Sequence, residues 1–104
     1  MQLVLTVKER ILVPGLLKSQ GKFEDMVARQ EIIEKVTFSA KEIEEYDIKQ
    51  REDGSIAWNA QTALDKTIEC TELEAGFLKK CLKELSEQEK LPSDATTLWK
   101  KLEA

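Results

Sequence analysis

Histidine is absent from this sequence of 104 residues, and its absence excludes most of the common enzyme sites. Histidine is the commonest general base and the commonest metal ligand in proteins. A serine or cysteine triad of the usual kind also needs a histidine, so one copy of this chain cannot assemble such a triad. We therefore expect no enzymatic activity, no catalytic residue and no bound metal.

Glycine and cysteine are also scarce, with four and two copies. The glycines are isolated and form neither a P-loop nor a GxGxxG run, so we expect no phosphate-binding loop and no cofactor. The spacing of Cys70 and Cys81 does not match a paired metal knuckle or a redox dithiol. We predict two buried free thiols, as a reducing compartment favours, although the spacing also permits a disulfide between them.

Long hydrophobic runs are missing as well. No apolar stretch approaches the roughly 20 residues that a membrane-spanning helix needs. Residues 1–10 have no basic region ahead of their apolar stretch, so they do not look like a signal peptide. These two absences predict a cytoplasmic protein that makes no membrane contact.

Positive charge is in the minority, because 16 Lys and Arg stand against 20 Asp and Glu, for a net charge of −4. Nucleic acids bind clustered lysine and arginine through their phosphates. The charge balance therefore disfavours nucleic acid as a partner, although it is compatible with a local basic patch. Glu42, Glu44, Glu45 and Asp47 lie close in sequence, and we interpret them as a solvated face rather than a metal site.

The apolar residues that are present, 41% of the chain, are enough to form the core of one domain spanning residues 1–104. The longest helical pattern covers residues 71–91. Its apolar face consists of Leu73, Phe77, Leu78, Cys81, Leu82 and Leu85. A second helix is predicted over residues 23–36, with an apolar face made of Phe23, Met26, Val27, Ile33 and Val36. We expect both faces to pack into the core because their spacing follows the helical period.

Three capping boxes predict where helices begin. They pair Thr6 with Glu9, Ser39 with Glu42, and Thr71 with Glu74. In each box, the hydroxyl and the carboxylate accept hydrogen bonds from each other's backbone N–H groups. Phe38 and Ile43 occupy the two positions of a hydrophobic staple around the second box, which predicts that Ile43 points inward. The capping role also explains Glu74, a carboxylate that falls within the apolar arc of its helix.

The remaining patterns complete an α+β fold. The predicted order begins with a short strand at 2–5, a helix that starts at residue 7, and helices at 23–36 and 39–45. A β-hairpin at 48–58, a strand at 66–70, the long amphipathic helix and a short helix at 94–102 follow. Pro14 is expected to kink the first helix or to end it near Leu12. Asp53-Gly54 between two alternating runs predicts the hairpin turn. The strand at 66–70 is predicted to join the hairpin in one small antiparallel sheet.

Three helices followed by a β-hairpin is the order of elements in a winged helix-turn-helix domain. In such domains the recognition helix comes just before the wing. Here that position is taken by residues 39–45, which carry Lys41 but three glutamates, so the helix would repel phosphates. We keep a winged-helix-like nucleic-acid-binding or regulatory protein as the alternative function.

Three segments of the sequence form a recognisable set. They are Leu5-Thr6-Val7-Lys8-Glu9-Arg10, Phe38-Ser39-Ala40-Lys41-Glu42-Ile43, and Asp53-Gly54-Ser55-Ile56-Ala57-Trp58-Asn59 ahead of a Lys-Thr-Ile-Glu strand. Together they resemble a set of small phage and prophage-encoded proteins. The likeness extends over nearly the whole chain, but it consists of caps, turns and core positions. It implies a phage or prophage setting in a bacterial host, and it brings no catalytic residue with it.

The leading hypothesis is a non-enzymatic protein-interaction, structural or accessory protein that presents a sheet edge or a helix face to a protein partner or forms a homodimer. The candidate interaction surface consists of Leu98, Trp99, Leu102, Lys79, Lys80 and Lys83. A short terminal helix cannot stabilise itself alone. Trp99 is therefore expected either to dock on the long helix or to bind another subunit. Trp58, on the hairpin, is expected in the core rather than at an interface, since it shares a strand face with Ile56.

Overall fold

The computed structural model describes residues 1–103 and has the α+β architecture that the sequence predicts. In chain order, the elements are β1 (Gln2–Leu5), α1 (Val7–Leu16), α2 (Phe23–Val36), α3 (Ala40–Glu45), β2 (Lys49–Gln50), β3 (Ile56–Ala57), β4 (Lys66–Glu69), α4 (Glu72–Glu87), a 3-10 turn (Ser93–Ala95) and α5 (Thr96–Glu103). The helices pack against a two-stranded sheet, and one apolar core lies between them.

The strand pairing differs from the prediction, because β4 pairs with β1 and not with the hairpin. The pairing is antiparallel and places Leu3 opposite Ile68, so that both side chains, with Leu5, point into the core. The hairpin β2–β3 forms a separate sheet with only two residues in each strand. It has little apolar surface to bury, whereas the alternating strands β1 and β4 gain from covering the core together.

The first helix runs through Pro14 to Leu16, so the predicted alternative that it ends near Leu12 is wrong. Proline removes one backbone hydrogen bond inside a helix. The helix nevertheless continues, because Val13 and Leu16, on either side of the proline, are both buried. Tertiary packing here outweighs the local cost of the proline.

The second helix buries only part of the predicted face. Val36 is buried, and Met26 and Ile33 are partly buried against the core, as predicted. Phe23, which is 80% exposed, and Val27, which is also exposed, do not face the core, so the prediction is wrong for these two residues. Ala28 and Ile32 complete the buried side, and a small residue such as Ala28 allows α2 to approach α4 closely.

The long helix α4 buries Phe77, Leu78, Cys81 and Leu82, as predicted, but Leu73 in its first turn is exposed. It ends at Glu87, earlier than the predicted end at Leu91. Glu89 adopts a left-handed conformation with φ of 59°. The N–H of Lys90 then donates to the carbonyl of Leu85 at 2.8 Å, which closes the helix with a motif that usually contains glycine.

The C-terminal helix α5 docks on α4 and β1. Leu98 and Leu102 are each 1% exposed, and Trp99 is partly buried against the core. Docking is therefore the role of this helix within the chain. Cys70 and Cys81 are both buried and free, as predicted, and burial raises the pKa of each thiol.

Candidate functional site

An open apolar groove of about 320 Å³ lies between α1, α3 and the hairpin. Its lining residues are Arg10, Ile11, Pro14, Val36, Thr37, Phe38, Ile43 and Ile56. Ile43 from α3 is 44% exposed and Ile56 from β3 is 39% exposed. The two isoleucines form the solvent-facing part of the groove, and the half-buried Ile11 and Phe38 lie deeper.

The sequence predicted that Ile43 points inward, and the structure corrects this. The helix α3 has only six residues and none of them is buried. Ser39 and Glu42 form the predicted capping box, with hydrogen bonds of 3.0 and 3.1 Å. The cap fixes the start of α3, but this short helix buries none of its side chains, and Ile43 faces the groove.

The hairpin turn leads into β3, which contributes Ile56 to the lining of the groove. Gly54 has a φ of 88°, which glycine adopts without strain. The side chain of Asp53 accepts hydrogen bonds from the backbone N–H and the hydroxyl of Ser55, at 2.9 and 2.7 Å. These contacts hold the pKa of Asp53 below its usual value and fix the turn that leads into β3.

Arg10 sets the shape of the groove from below, and its side chain is fully buried. It donates to the carbonyls of Val36 and Thr37 at 3.2 and 3.1 Å. It also donates two hydrogen bonds to the carboxylate of Glu42, at 2.7 and 3.1 Å. Its guanidinium lies 4.0 Å from the centre of the Phe38 ring, a cation–π contact. One side chain thereby joins α1, the end of α2 and the start of α3.

The Arg10 contact also explains the electrostatics of Glu42. Hydrogen bonds from Arg10 are the main cause that lowers the pKa of Glu42 to about 2, and the backbone N–H of Ser39 adds to it. Glu42 therefore stays ionised at any ordinary pH. Charge-assisted pairing of a planar guanidinium with a carboxylate is strong and directional, which makes this contact a rigid anchor.

The other two capping-box glutamates are paired in the same way. Glu9 is buried and accepts hydrogen bonds from the Thr97 hydroxyl at 2.8 Å and from Lys101 at 2.5 Å. Burial alone would raise the pKa of Glu9, but the hydrogen bonds, that of Lys101 above all, lower it. This contact attaches α5 to the start of α1.

Glu74 is 1% exposed and forms an ion pair with Lys35, which attaches α2 to the start of α4. Burial would raise the pKa of Glu74, but hydrogen bonds involving Glu31 and Lys35 lower it. The pKa of the neighbouring Glu31 is raised, mainly by its hydrogen bond with the carboxylate of Glu74. An open depression beside them is lined by polar side chains, among them Glu34 and Thr71.

The sequence predicted all three capping boxes but none of their cationic partners. The sequence signal for such a partner is a charged residue within the apolar arc of a helix, and the capping role accounts for that signal only at Glu74. Arg10 carries a similar signal, since it lies three residues from Val7 and three from Val13, both of them buried. A charged residue in that position has to find a partner inside the fold.

The predicted interaction residues are divided by the structure. Leu98 and Leu102 belong to the core and offer no surface to a partner. Trp99 and the exposed Lys79 line a small cleft with Glu103.

The basic residues of α4 are not all available to a partner. Lys80 lies 3.6 Å from Asp25 in an ion pair, and Lys83 is exposed. Trp58 is half-buried against the start of α1 rather than enclosed in the core.

Sites of two other kinds are absent from the described residues. No three His, Cys, Asp or Glu side chains within residues 1–103 converge on a position suited to a metal ion. Across the same residues, no helix combines the length and apolar character that crossing a membrane requires. Comparisons of this chain with protein-family models, with curated proteins and with solved structures found no match.

Proposed function

We propose that this chain is a non-enzymatic interaction protein whose apolar groove receives apolar side chains of a partner protein. The observation that carries the proposal is the pair of exposed isoleucines, Ile43 and Ile56, which come from different elements and line the same groove. Apolar side chains gathered in a concave surface are typical of binding sites, whereas single exposed apolar residues are ordinary. Phe23 and Leu64 are more exposed than either isoleucine, but neither is among the residues that line this groove.

The anchoring of the groove supports the same proposal. Arg10 fixes the wall formed by Phe38 and α3 through its hydrogen bonds with Glu42. A surface that already has its bound shape loses less conformational entropy on binding. A rigid arginine below and exposed isoleucines above suit a partner that inserts one or two apolar side chains.

A peptide-display selection tests the proposal, because it does not require the partner to be identified first. The immobilised chain serves as bait, and selected peptides are measured against the Ile43→Ser/Ile56→Ser variant and against the control Leu64→Ser. We expect peptides with a large apolar residue that lose at least about tenfold in affinity with the double variant, since each buried apolar side chain contributes about 1.5–3 kcal/mol. The control should bind as the wild type does.

Two results would contradict the proposal. One is a set of peptides that bind the double variant unchanged. The other is a selection that enriches no peptide at all. The partner can also be a second copy of this chain, and then sedimentation velocity would show a dimer that Ile43→Ser/Ile56→Ser converts to a monomer.

The setting that we propose is that of a phage or prophage accessory protein acting in the cytoplasm of a bacterial host. Its support is the resemblance of the three segments described above. The free thiols of Cys70 and Cys81 are in keeping with the reducing compartment that this setting implies. The position of the gene among virion-assembly genes or among regulatory genes would decide which accessory role applies.

A winged-helix-like nucleic-acid-binding protein is the competing proposal. The order of α1, α2 and α3 ahead of the β2–β3 hairpin favours it. Charge opposes it, because α3 is acidic and Lys49 on the hairpin already pairs with Asp47 at 3.2 Å. A gel-shift assay at about 50 mM salt, where electrostatic affinity is high, tests it. If no duplex or single strand is shifted there, the competing proposal fails.

A further inference from the structure

The sheet β1–β4 has only two strands, so each strand has one unpaired edge. At one end of the ladder, Met1 and Cys70 exchange two hydrogen bonds, of 3.0 and 2.8 Å. Antiparallel ladders alternate between bonded and non-bonded pairs. By this alternation, the backbone groups of Val4 on β1 and of Glu69 on β4 point away from the partner strand. Such groups can pair with a strand from another molecule.

A lysine side chain donates a hydrogen bond to the outward-facing carbonyl of each of these two residues. The ammonium of Lys101 donates to the carbonyl of Val4 at 2.8 Å. The ammonium of Lys35 donates to the carbonyl of Glu69 at 2.7 Å. The two lysines come from α5 and α2, helices that lie far apart in the chain, yet both end at the same kind of acceptor.

Each lysine is held in place by a buried carboxylate. Lys101 also donates to Glu9, and Lys35 also donates to Glu74. These are the capping-box glutamates that begin α1 and α4, the helices that directly follow β1 and β4. The same arrangement of strand, capping glutamate and lysine therefore occurs twice in the fold, once at each edge.

We propose that Lys101 and Lys35 block the two unpaired strand edges and so prevent a second copy of this chain from extending the β1–β4 sheet. An added strand would have to displace the ammonium from the strand carbonyl and bury or expel its charge. Lysines at exposed edges oppose strand addition for this reason. Here each lysine is also held by a buried glutamate, so its ammonium group stays at the strand edge. The proposal is independent of the apolar groove, which lies elsewhere on the molecule.

The test removes Lys101 from the β1 edge without leaving a buried charge unpaired. The variant Glu9→Gln/Lys101→Met is compared with Glu9→Gln alone, since glutamine retains the capping box. Sedimentation velocity is recorded over a range of concentrations, and backbone amide exchange is followed at Gln2 and Val4. We expect Glu9→Gln to sediment as the wild type does. The double variant should associate as concentration rises, and its Gln2 and Val4 amides should exchange at least about tenfold more slowly at the highest concentration.

A second, independent pair covers the case in which the first double variant does not fold. Glu74→Gln/Lys35→Met should associate through β4, with slower amide exchange at Thr67 and Glu69, while Glu74→Gln alone should not. Lys101→Arg, which keeps a cation at the edge, should stay at the wild-type mass. Adding Ile56→Ser should leave the new association unchanged, which separates it from binding through the groove. The proposal is overturned if folded double variants sediment like their single controls, or if Lys101→Arg associates as strongly as the methionine variant.

Discussion

The helical body and the segment from Phe38 to Trp58 are stabilised in different ways. In the body, α1, α4 and α5 bury large apolar side chains, and the capping glutamates of α1 and α4 turn inward to meet lysines of α5 and α2. In the segment, which comprises α3 and the hairpin, Tyr46 is the one residue that is buried. Arg10 is the main contact that fixes this segment to the body. The contrast indicates that the body provides stability, while the segment presents the surface proposed for binding.

The largest expected effect comes from shortening a core side chain, which tests the first half of the comparison. Leu98→Ala should lower the free energy of unfolding by about 2–5 kcal/mol, because it leaves a cavity in a fully packed core. The matched change in the segment, Ile56→Ala, should cost less than about 1 kcal/mol, since Ile56 is partly exposed. Urea denaturation of both variants measures the difference. Equal losses would mean that the segment is as well packed as the body.

Removing Arg10 tests the link between the two regions. Arg10→Met should cost about 3 kcal/mol, since breaking a buried ion pair leaves Glu42 and two carbonyls without their donor. The effect should be concentrated in α3 and the hairpin, where backbone amide exchange should become at least about tenfold faster than in α4. Lys41→Ala is the control, because its pair with Glu45 is exposed and weak. Uniform acceleration along the chain would show that the segment has other anchors.

Acid should weaken the protein through the three capping glutamates. The pKa values of Glu9, Glu42 and Glu74 are all lower in the folded chain than the usual 4.5, that of Glu42 being about 2. A lowered folded pKa gives stability that is present above about pH 4.5 and lost as the pH falls towards the folded value. Urea denaturation between pH 6 and pH 2 should show this loss, and Glu42→Gln should lose less over the same range. A pH-independent wild type would contradict the assigned ion pairs.

The smallest expected effect is a gain in stability at the end of α4. Glu89→Gly should stabilise the protein by about 0.5–1 kcal/mol, because glycine adopts the left-handed conformation without the strain that Glu89 bears. The control Lys83→Gly, at an exposed position within α4, should destabilise by about 1 kcal/mol. Thermal unfolding of the two variants separates them. A loss of stability in Glu89→Gly would show that its side chain has a role at this position.

The sequence predicted the local features well because they depend on neighbouring residues. All three capping boxes, the Asp53-Gly54 turn and most of the buried face of α4 follow from spacing alone, and each is present in the structure. The order and type of the helices follow from the same patterns. These are the features in which every participating residue lies within one or two helical turns.

The failures that bear on the proposed site concern how separate elements meet. The pairing of β4 with β1 joins two distant parts of the chain, and no local pattern distinguishes it from pairing with the hairpin. The ion pair of Arg10 with Glu42 depends on how α1 meets α3, and the exposure of Ile43 depends on the shortness of α3. The groove was missed for this reason, since its walls come from four separate elements.

The most direct test of the proposed binding surface is an NMR titration of the labelled chain with a peptide from the display selection. The proposal predicts that the largest amide shifts occur at Ile11, Phe38, Ile43 and Ile56, with small shifts elsewhere. Saturation should occur at one peptide per chain. If the shifts instead cluster around Lys79 and Trp99, the apolar groove is not the binding surface and the central claim is wrong.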